Sequence, residues 1–594
     1  LKRRDSGVKK QNFLEGALIL SVSAIIVKII GGIFRIPLAM IIGDSGMGYY
    51  GVAYNIFTMV LSVATSGLTV AVSKLVAEYV VKRRYRDVKK IGRISTLIFT
   101  VTGIVGTVAI MAFARPLTGM LAEGNMDGYL AVIAIAPAVF FLCLMSSYRG
   151  YYTGLRNMMP TAVSQVVEAL VKLFLALGLS YGVQVWGTSQ YNATGKVFGR
   201  AISIAPNSSQ GEISEILFEA MAPYMAAAAI LGVTISTLFG LLYLIYYNKR
   251  HSDGVTKEDV LSAPKASSSS LMVKRLLGIA IPICLGSLAV SLASMIDTLT
   301  IQPRLNDAIA ESPEVFMEMY GDLITNASPL DALANKLYGA YSGRVSSVFN
   351  LIPTITATLG ISILPAITSS WAQGNKRETK ANIESALRIT SLIAMPSGFA
   401  LLFMASPILE LIFGKVDTIP YIAPILSLMG ISVIFVSLAS PINAILQAVG
   451  KVSRPMIYTF IGAVLKLACN YILLGIPTIN IQGIAVGTLF NYAFIIVAGL
   501  ITLLRTTKVK LHVESVFIKP AVAGLVCGLS GFLANSFLQK FLHYRLATMG
   551  AVGIAVIVYA GLLLLLKGIQ KEDVLLLPKG EKISKTLEKY GLIG

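Results

Sequence analysis

Charge is scarce in this sequence. Only 13% of its 594 residues are Asp, Glu, Lys or Arg, where a soluble domain carries about 25%. Histidine is scarcer still: His251, His512 and His543 stand far apart, which argues against a histidine-built metal centre or acid–base pair. The four cysteines, Cys143, Cys284, Cys469 and Cys527, each lie in an apolar run without paired spacing. Neither a disulfide framework nor a thiolate metal site is supported, and buried free thiols are expected. Acids are the rarer sign, 30 against 50 Lys and Arg, for a net charge of +20. That excess does not indicate nucleic acid. The basic residues sit in alternate connections between apolar runs, and no basic patch interleaved with aromatics stands on a soluble domain.

What fills the chain instead is hydrocarbon, with 55% of residues hydrophobic. Fourteen apolar stretches are each long enough to cross a bilayer, a crossing that takes about 20 residues. They cover approximately 13–42, 50–80, 92–113, 129–149, 160–183, 217–247, 271–299, 340–370, 384–413, 420–449, 453–475, 481–504, 514–538 and 545–567. The fold class is therefore an all-α polytopic membrane protein with fourteen transmembrane helices. The first stretch follows a basic start (Lys2, Arg3, Arg4, Lys9, Lys10) as a signal peptide would. It runs too long and lacks an A-x-A cleavage pattern, so it is read as a retained first helix. Gly31, Gly32 and Pro37 predict a bent or broken first helix, with the break at Pro37, which lacks a backbone donor.

Basic residues crowd the connections at 81–93 (Lys82, Arg83, Arg84, Arg86, Lys89, Lys90, Arg93) and 248–275, then recur at Lys376, Arg377, Lys380 and at Lys508, Lys510, Lys519. The 300–337 connection is acidic, with Asp307, Glu311, Glu314, Glu318, Asp322 and Asp331. This alternation places both termini in the cytoplasm and the 184–216 and 300–337 loops outside, the latter with room for a short amphipathic helix. The 252–270 segment, ending in four serines, reads as a flexible cytoplasmic link.

An internal repeat runs through the chain. Leu68, Arg86 and Asp87 fall on Leu359, Arg377 and Glu378 at a shift of 291; Pro160 falls on Pro455 at 295; Val171-Lys172-Leu173 falls on Leu465-Lys466-Leu467 at 294. The expected organisation is a six-helix bundle at 1–250, a linker at 251–270, a second six-helix bundle at 271–506, and two additional spans with a basic tail at 507–594. Even-numbered units point the same way, so a pseudo-two-fold axis along the membrane normal relates them, with a cavity between the halves.

Cations inside apolar runs are costly and need a reason. Lys28 and Arg35 lie seven residues apart in the first span and share a helix face; each either lines a cavity or snorkels to the headgroups. Glu168 and Lys172 are spaced to neutralise one another on one face of the fifth span, or to serve separately. Lys466 in the eleventh span has no such neighbour. Arg344 opens the eighth span, where a headgroup contact is the plain alternative. Asp297, ending the seventh span, is a candidate for a coupling cation or proton, with Glu168 as a second, or it caps the next helix. Arg149 and Arg156 are explained by ordinary positive-inside bias, and Lys74 and Glu78 by a structural pair.

The segment from Arg344 through Gly360-Ile361-Ser362-Ile363-Leu364-Pro365, Ser369, Ala372 and Gly374-Asn375 resembles a signature of the MurJ (MviN) lipid II flippases, within the multidrug/oligosaccharidyl-lipid/polysaccharide exporter superfamily. Tyr148-Arg149-Gly150-Tyr151-Tyr152 with Gly154, Asn157, Pro160-Thr161-Ala162 and Gln165 resembles the stage V sporulation protein B branch, as does Lys28-Ile29-Ile30-Gly31 through Arg35-Ile36-Pro37. The resemblance covers essentially the whole chain. It implies a non-enzymatic flippase for undecaprenyl-diphosphate-linked sugars, working by alternating access in the bacterial cell membrane. Cationic cavity residues would hold the diphosphate, and the last two spans would form a groove for the polyprenyl tail. Arg344 matches a cavity arginine, and Arg35 matches one in the first span across a one-residue gap. The family members known for lipid II carry further arginines in the second span, where Tyr54 to Gly67, Ser62 included, holds no cation. Strict lipid II selectivity therefore stays open, with Lys28, Lys172 and Lys466 available to supply the charge.

The expected function is outward transfer of a lipid-linked peptidoglycan precursor or related lipid-linked oligosaccharide, in vegetative growth or sporulation. No cofactor or metal is expected; Na⁺, H⁺ or the membrane potential are the candidate energy sources. The expected partners are the lipid-linked diphosphate sugar and membrane lipids, no nucleic acid, with the chain a monomer. The alternative is a cation-coupled multidrug exporter of the same broad fold, which would favour an acidic interior. A membrane-bound sugar-lipid polymerase or ligase would need an acid–base or nucleophile constellation on an outer loop; the 300–337 loop has acids but no evident partner for them.

Overall fold

A computed structural model describes residues 13–121, 128–202, 209–326, 328–451, 453–568 and 570. Helix falls on all fourteen expected stretches. In chain order the long helices are α1 (Phe13–Val81), α2 (Tyr85–Leu121), α3 (Tyr129–Gly154), α4 (Met159–Thr194), α5 (Gln210–Arg250), then the short α6 (Lys257–Ser262), and α7 (Ser269–Ser294). Next come α8 (Ile296–Glu311), α9 (Pro313–Tyr320) and α10 (Leu333–Ala340). The series ends with α11 (Ser346–Ala372), α12 (Lys376–Phe413), α13 (Ile419–Ala448), α14 (Ser453–Leu474), α15 (Gly483–Thr507), α16 (Lys519–Leu538) and α17 (Tyr544–Leu565). Among the described residues eleven helical segments are long and apolar enough to cross a membrane, and one of them, Val22–Val81, is 60 residues long. A two-residue hairpin, Lys196–Val197 against Arg200–Ala201, is the one sheet among the described residues.

The long first segment is two helices. Its break lies at Gly43, with φ 66° and ψ −174°, and not at Pro37, which stays helical. A positive φ is open to glycine at no steric cost, whereas Pro37 loses one hydrogen bond inside a helix that continues past it. The acidic 300–337 stretch, expected as a loop with room for one short amphipathic helix, is mostly helical: α8, α9 and α10 fill much of it. Its charges mark solvated helix faces.

The chain divides into two compact units, Leu1–Pro303 with Ile324–Gly339, and Arg304–Leu323 with Ala340–Gly594. In the first, α1 packs against α3, α4 and α7, α2 against α3, and α5 against α3 and α4. The α1–α7 contact is close: a Cβ on Gly67 would meet the Ala280 carbonyl oxygen at 2.2 Å. In the second, α12 packs on α13 and α16, α15 on α13 and α14, and α16 on α17. At the α12–α13 crossing, Gly398 and Gly430 lie against each other's backbone. Such small-residue contacts let helices approach where the bilayer supplies no hydrophobic drive. Helix α12 is itself broken at Met404 (φ −122°, ψ 26°), three residues before Pro407.

The serine-rich link is tied down, contrary to the expectation of flexibility. The buried Asp87 accepts the Ser267 backbone N–H at 2.7 Å, and Lys90 donates to the Ser267 carbonyl at 2.6 Å. Arg86 donates to the carbonyls of Val260 and Leu261 at 2.9 and 3.0 Å. Asp253 accepts from Tyr151 at 2.7 Å and pairs with Lys89. Between these ties a capping box of Thr256 and Asp259 starts α6. A buried carboxylate with charge-assisted bonds is costly to lose, about 1–3 kcal/mol or more. In Asp87→Ala, trypsin should cleave after Lys257 or Lys265 at least about tenfold faster than in the wild type, through local opening. Equal cleavage rates would show that the strap does not depend on Asp87.

Candidate functional site

Candidate charges gather in the first unit. Lys28 and Arg35 are seven residues apart on α1, so at roughly 100° per residue they lie within about 20° of one another. A stripe of exposed apolar side chains (Val22, Ile26, Ile29, Ile33, Met40) runs along the same helix. The centre of that stripe is about 130–150° round from both cations, while the exposed Ile25 stands about 60–80° from them. Lys28 is exposed and Arg35 half-buried.

Around Arg35 the sequence supplies rings and hydroxyls. Phe34 is 2% exposed, and Lys172 of α4 sets its Nζ 5.3 Å from that ring's centre. The ring is the first of a ladder on α1: Phe34 to Tyr50 at 6.5 Å, Tyr50 stacked on Tyr54 at 5.6 Å, and Tyr54 to Phe57 at 6.0 Å. The ladder continues past the Gly43 break because the second part of α1 returns Tyr50 to the Phe34 face. Arg35 lies near enough for its charge to act on the hydroxyls of Tyr50 and Tyr338. Tyr338 belongs to a buried polar trio. Its hydroxyl is 3.0 Å from the Thr298 hydroxyl, and Asn55 Nδ2 donates to Thr298 at 2.6 Å and to Tyr338 at 3.4 Å. The charge of Asp297 acts on the same Tyr338 hydroxyl. Asp297 sits in the first turn of α8, where a carboxylate is also favoured by the helix N-terminus.

Glu168 and Lys172 do not pair. Arg149 of α3 takes Glu168 instead, with Nη2 3.1 Å from its carboxylate and Nε donating to Ser164 at 3.0 Å. The guanidinium fork satisfies a carboxylate and a hydroxyl at once, which the single ammonium one turn away on the same helix cannot do. Arg149 is therefore half of a partly buried pair and more than a positive-inside residue. Lys28, Arg35 and Lys172 have no carboxylate within ion-pair distance among the described residues.

In the second unit Arg344 is 4% exposed and lies on a π turn, Tyr341–Val345, with its guanidinium 5.3 Å from the Phe413 ring. π turns widen a helix locally and recur at functional sites. Lys466 is half-buried on α14; no described contact joins it to Arg344. Sequence reasoning missed Arg388, 5% exposed on α12, which donates to Ser515 at 3.2 Å within a second π turn, Glu514–Ile518. It also missed Asn55, Thr298 and Tyr338, whose only signal is an uncharged polar residue in mid-span. Among the described residues no group of His, Cys, Asp or Glu is placed to hold a metal ion.

A partly solvated cation flanked by rings and hydroxyls suits an anion, which adds charge-assisted bonds that the protein itself does not supply. The chain is similar to several known proteins. Residues 13–206 match a family model described as polysaccharide biosynthesis protein, and residues 337–552 match that of lipid II flippase MurJ. In Bacillus subtilis (strain 168), stage V sporulation protein B is 23% identical over 96% of this chain and 98% of its own length. Lipid II flippase MurJ of the same organism is 24% identical, over 92% of this chain and 93% of its own. Among solved structures, lipid II flippase MurJ in an inward closed conformation aligns with TM-score 0.60 at 14% identity, over 92% of this chain and 98% of that one. That last likeness shows the fold, an all-α polytopic membrane protein.

The helical face of Lys28 can be checked directly. With the native cysteines replaced, Lys28→Cys in membrane vesicles should react with a water-soluble maleimide at least about tenfold faster than Ile29→Cys, because the reactive thiolate needs water. Equal, slow reaction at both positions would put Lys28 against lipid.

Proposed function

The chain resembles the lipid II flippases and polysaccharide biosynthesis proteins, a group of transporters and not of enzymes, and on that premise we propose that it flips a phosphate-bearing, sugar-carrying polyprenyl lipid across the bacterial cell membrane. Lipid II or a related lipid-linked oligosaccharide is the substrate class. The observation that carries this reading is the set Lys28, Arg35 and Lys172: three cations in membrane-spanning helices, without carboxylate partners among the described residues, beside an aromatic ladder. Asp297 is a carboxylate whose charge reaches Tyr338, Glu168 is held by Arg149, and the half-buried Glu219 of the same unit neighbours Asp44, Ser45 and Lys336. Among the side chains named beside the ladder the balance is positive, which favours a diphosphate over a cationic drug.

Transport would run by alternating access without covalent chemistry. Arg35 and Lys172 would grip diphosphate oxygens by charge-assisted hydrogen bonds, worth more in a shielded site than in water. Tyr50 and the Asn55–Thr298–Tyr338 trio would hold Arg35 in place and offer neutral donors. Arg344, carried on its π turn, would supply a further cation in the second unit. The basic connections at 81–93 and 248–275 support cytoplasmic termini and uptake from the inner leaflet. Moving an anion outward then runs with the membrane potential, about 2.3 kcal/mol per charge per 100 mV. Asp297, linked through Tyr338 to Arg35, is the position from which a proton or Na⁺ would couple to that step.

The test is a flipping assay in proteoliposomes loaded with a labelled undecaprenyl-diphosphate glycolipid. Arg35→Ala with Lys172→Ala should cut the rate at least about tenfold while leaving expression and thermal stability in place, since two charge-assisted contacts are lost. The Lys28→Ala with Arg344→Ala pair should do the same. Full transport by both double variants, or extrusion of cationic dyes by the wild type without lipid transfer, would overturn the proposal.

A further inference from the structure

At one end of the second unit, the C-terminus of α12 meets the end of α16 and the start of α17 around a cavity of about 680 Å³. That is within the usual size of small-molecule sites, roughly 300–1,000 Å³. Glu410, Lys415, Asn535, Gln539, His543 and Tyr544 line it. The lining is polar in helices that are otherwise hydrocarbon: Asn535, Ser536 and Gln539 end α16, and the buried Asn535 accepts the Thr548 hydroxyl at 3.1 Å.

The charges at its mouth are not explained by the helices that carry them. Arg545 is the second residue of α17, where the helix N-terminus disfavours a cation. No side chain caps that terminus. Arg545 lies 5.7 Å from the Tyr544 ring and its Nε donates to the Tyr544 hydroxyl at 3.1 Å. Lys415, just past the end of α12, sets its Nζ 5.2 Å from the same ring. The C-terminus of α12 offsets part of the cost. Gly414 ends that helix at φ 82°, and a Cβ there would stand 3.7 Å from the Arg545 guanidinium. Lys415 and Arg545 are both exposed and share one tyrosine, and no carboxylate lies within ion-pair distance of either among the described residues. The acid in the cavity, Glu410, accepts the Ser406 hydroxyl at 3.0 Å.

We propose that this end of α12, α16 and α17 binds a phosphate-bearing, hydroxyl-rich headgroup. Lys415 and Arg545 hold the phosphate, and the Tyr544 ring with Asn535 and Gln539 meets the sugar-like part. Lys376 and Lys519 mark the opposite ends of α12 and α16, so by the positive-inside rule the cavity opens to the outer leaflet. There it receives the headgroup after transfer; this assignment of the lipid rests on the flippase reading, while the anion chemistry stands without it.

Binding separates the two. The full chain carrying Lys28→Ala, Arg35→Ala and Lys172→Ala, reconstituted in phosphatidylcholine nanodiscs, removes the first unit's three candidate cations from the measurement. Native mass spectrometry then follows three probes: inorganic diphosphate, phosphatidylglycerol and undecaprenyl diphosphate. Adding Lys415→Gln and Arg545→Gln should weaken undecaprenyl diphosphate binding at least about tenfold, whereas Lys508→Gln with Lys510→Gln at the opposite end should leave it unchanged. Arg545→Lys, which keeps the charge, should retain most of the binding and guards against misfolding of the double variant. Loss confined to inorganic diphosphate would support the anion site and reject a lipid source; loss shared with phosphatidylglycerol would make the site one for lipid phosphates in general. Unchanged binding of all three probes would overturn the proposal, whatever the flipping assay shows.

Discussion

A positive charge does not stay inside hydrocarbon unless something meets it, and the architecture of the first unit is arranged around that constraint. Placing Lys or Arg at the centre of a membrane helix costs about 2.5–3.5 kcal/mol on insertion scales. A ring beneath a cation returns roughly 0.5–2 kcal/mol. Phe34 under Lys172, and the hydroxyls of Tyr50 and Tyr338 near Arg35, therefore offset part of the cost and leave the rest. Where the unit does intend a fully compensated cation, it builds one: Arg149 has both Glu168 and Ser164. The contrast within one helical bundle separates structural charge from charge held ready for a ligand.

The frame that holds those cations is made from long-range contacts. Gly43 breaks the first long helix and lets its second part bring Tyr50, Tyr54 and Asn55 beside Phe34 and Arg35. Thr298 and Tyr338 come from α8 and α10, segments far along the chain, and complete the trio with Asn55. Asp297 enters with Thr298. The trio thus ties the second part of α1 to α8 and α10.

Much of the fold was legible in the sequence, because a bilayer demands runs of about 20 apolar residues and such runs are plain to read. The failures have two causes: some turned on a local backbone preference, and others needed a partner distant in sequence. Pro37 looked like the break since it lacks an N–H, but the turn needed a positive φ, which Gly43 supplies. The 300–337 stretch read as loop from its carboxylates, although Asp307, Glu311, Glu314 and Glu318 lie on helices α8 and α9. Ser267 to Ser270 read as flexible, and nothing near them in sequence announces that Asp87 holds the segment. For the site, the charged members could be named from the apolar runs alone. Their neutral supports could not, and the i,i+4 spacing of Glu168 and Lys172 was outcompeted by an arginine from another helix. The resemblance of Arg344 and its following segment to the flippase signature points to the substrate class proposed above, which charge alone leaves open.

The most direct test is a cryo-electron microscopy map of the chain in nanodiscs with an undecaprenyl-diphosphate glycolipid bound. The account predicts phosphate density in hydrogen-bonding contact with the Arg35 guanidinium and the Lys172 ammonium, above the Phe34–Tyr50 ladder. Density for the diphosphate elsewhere in the molecule, with those two side chains against acyl tails, would contradict it.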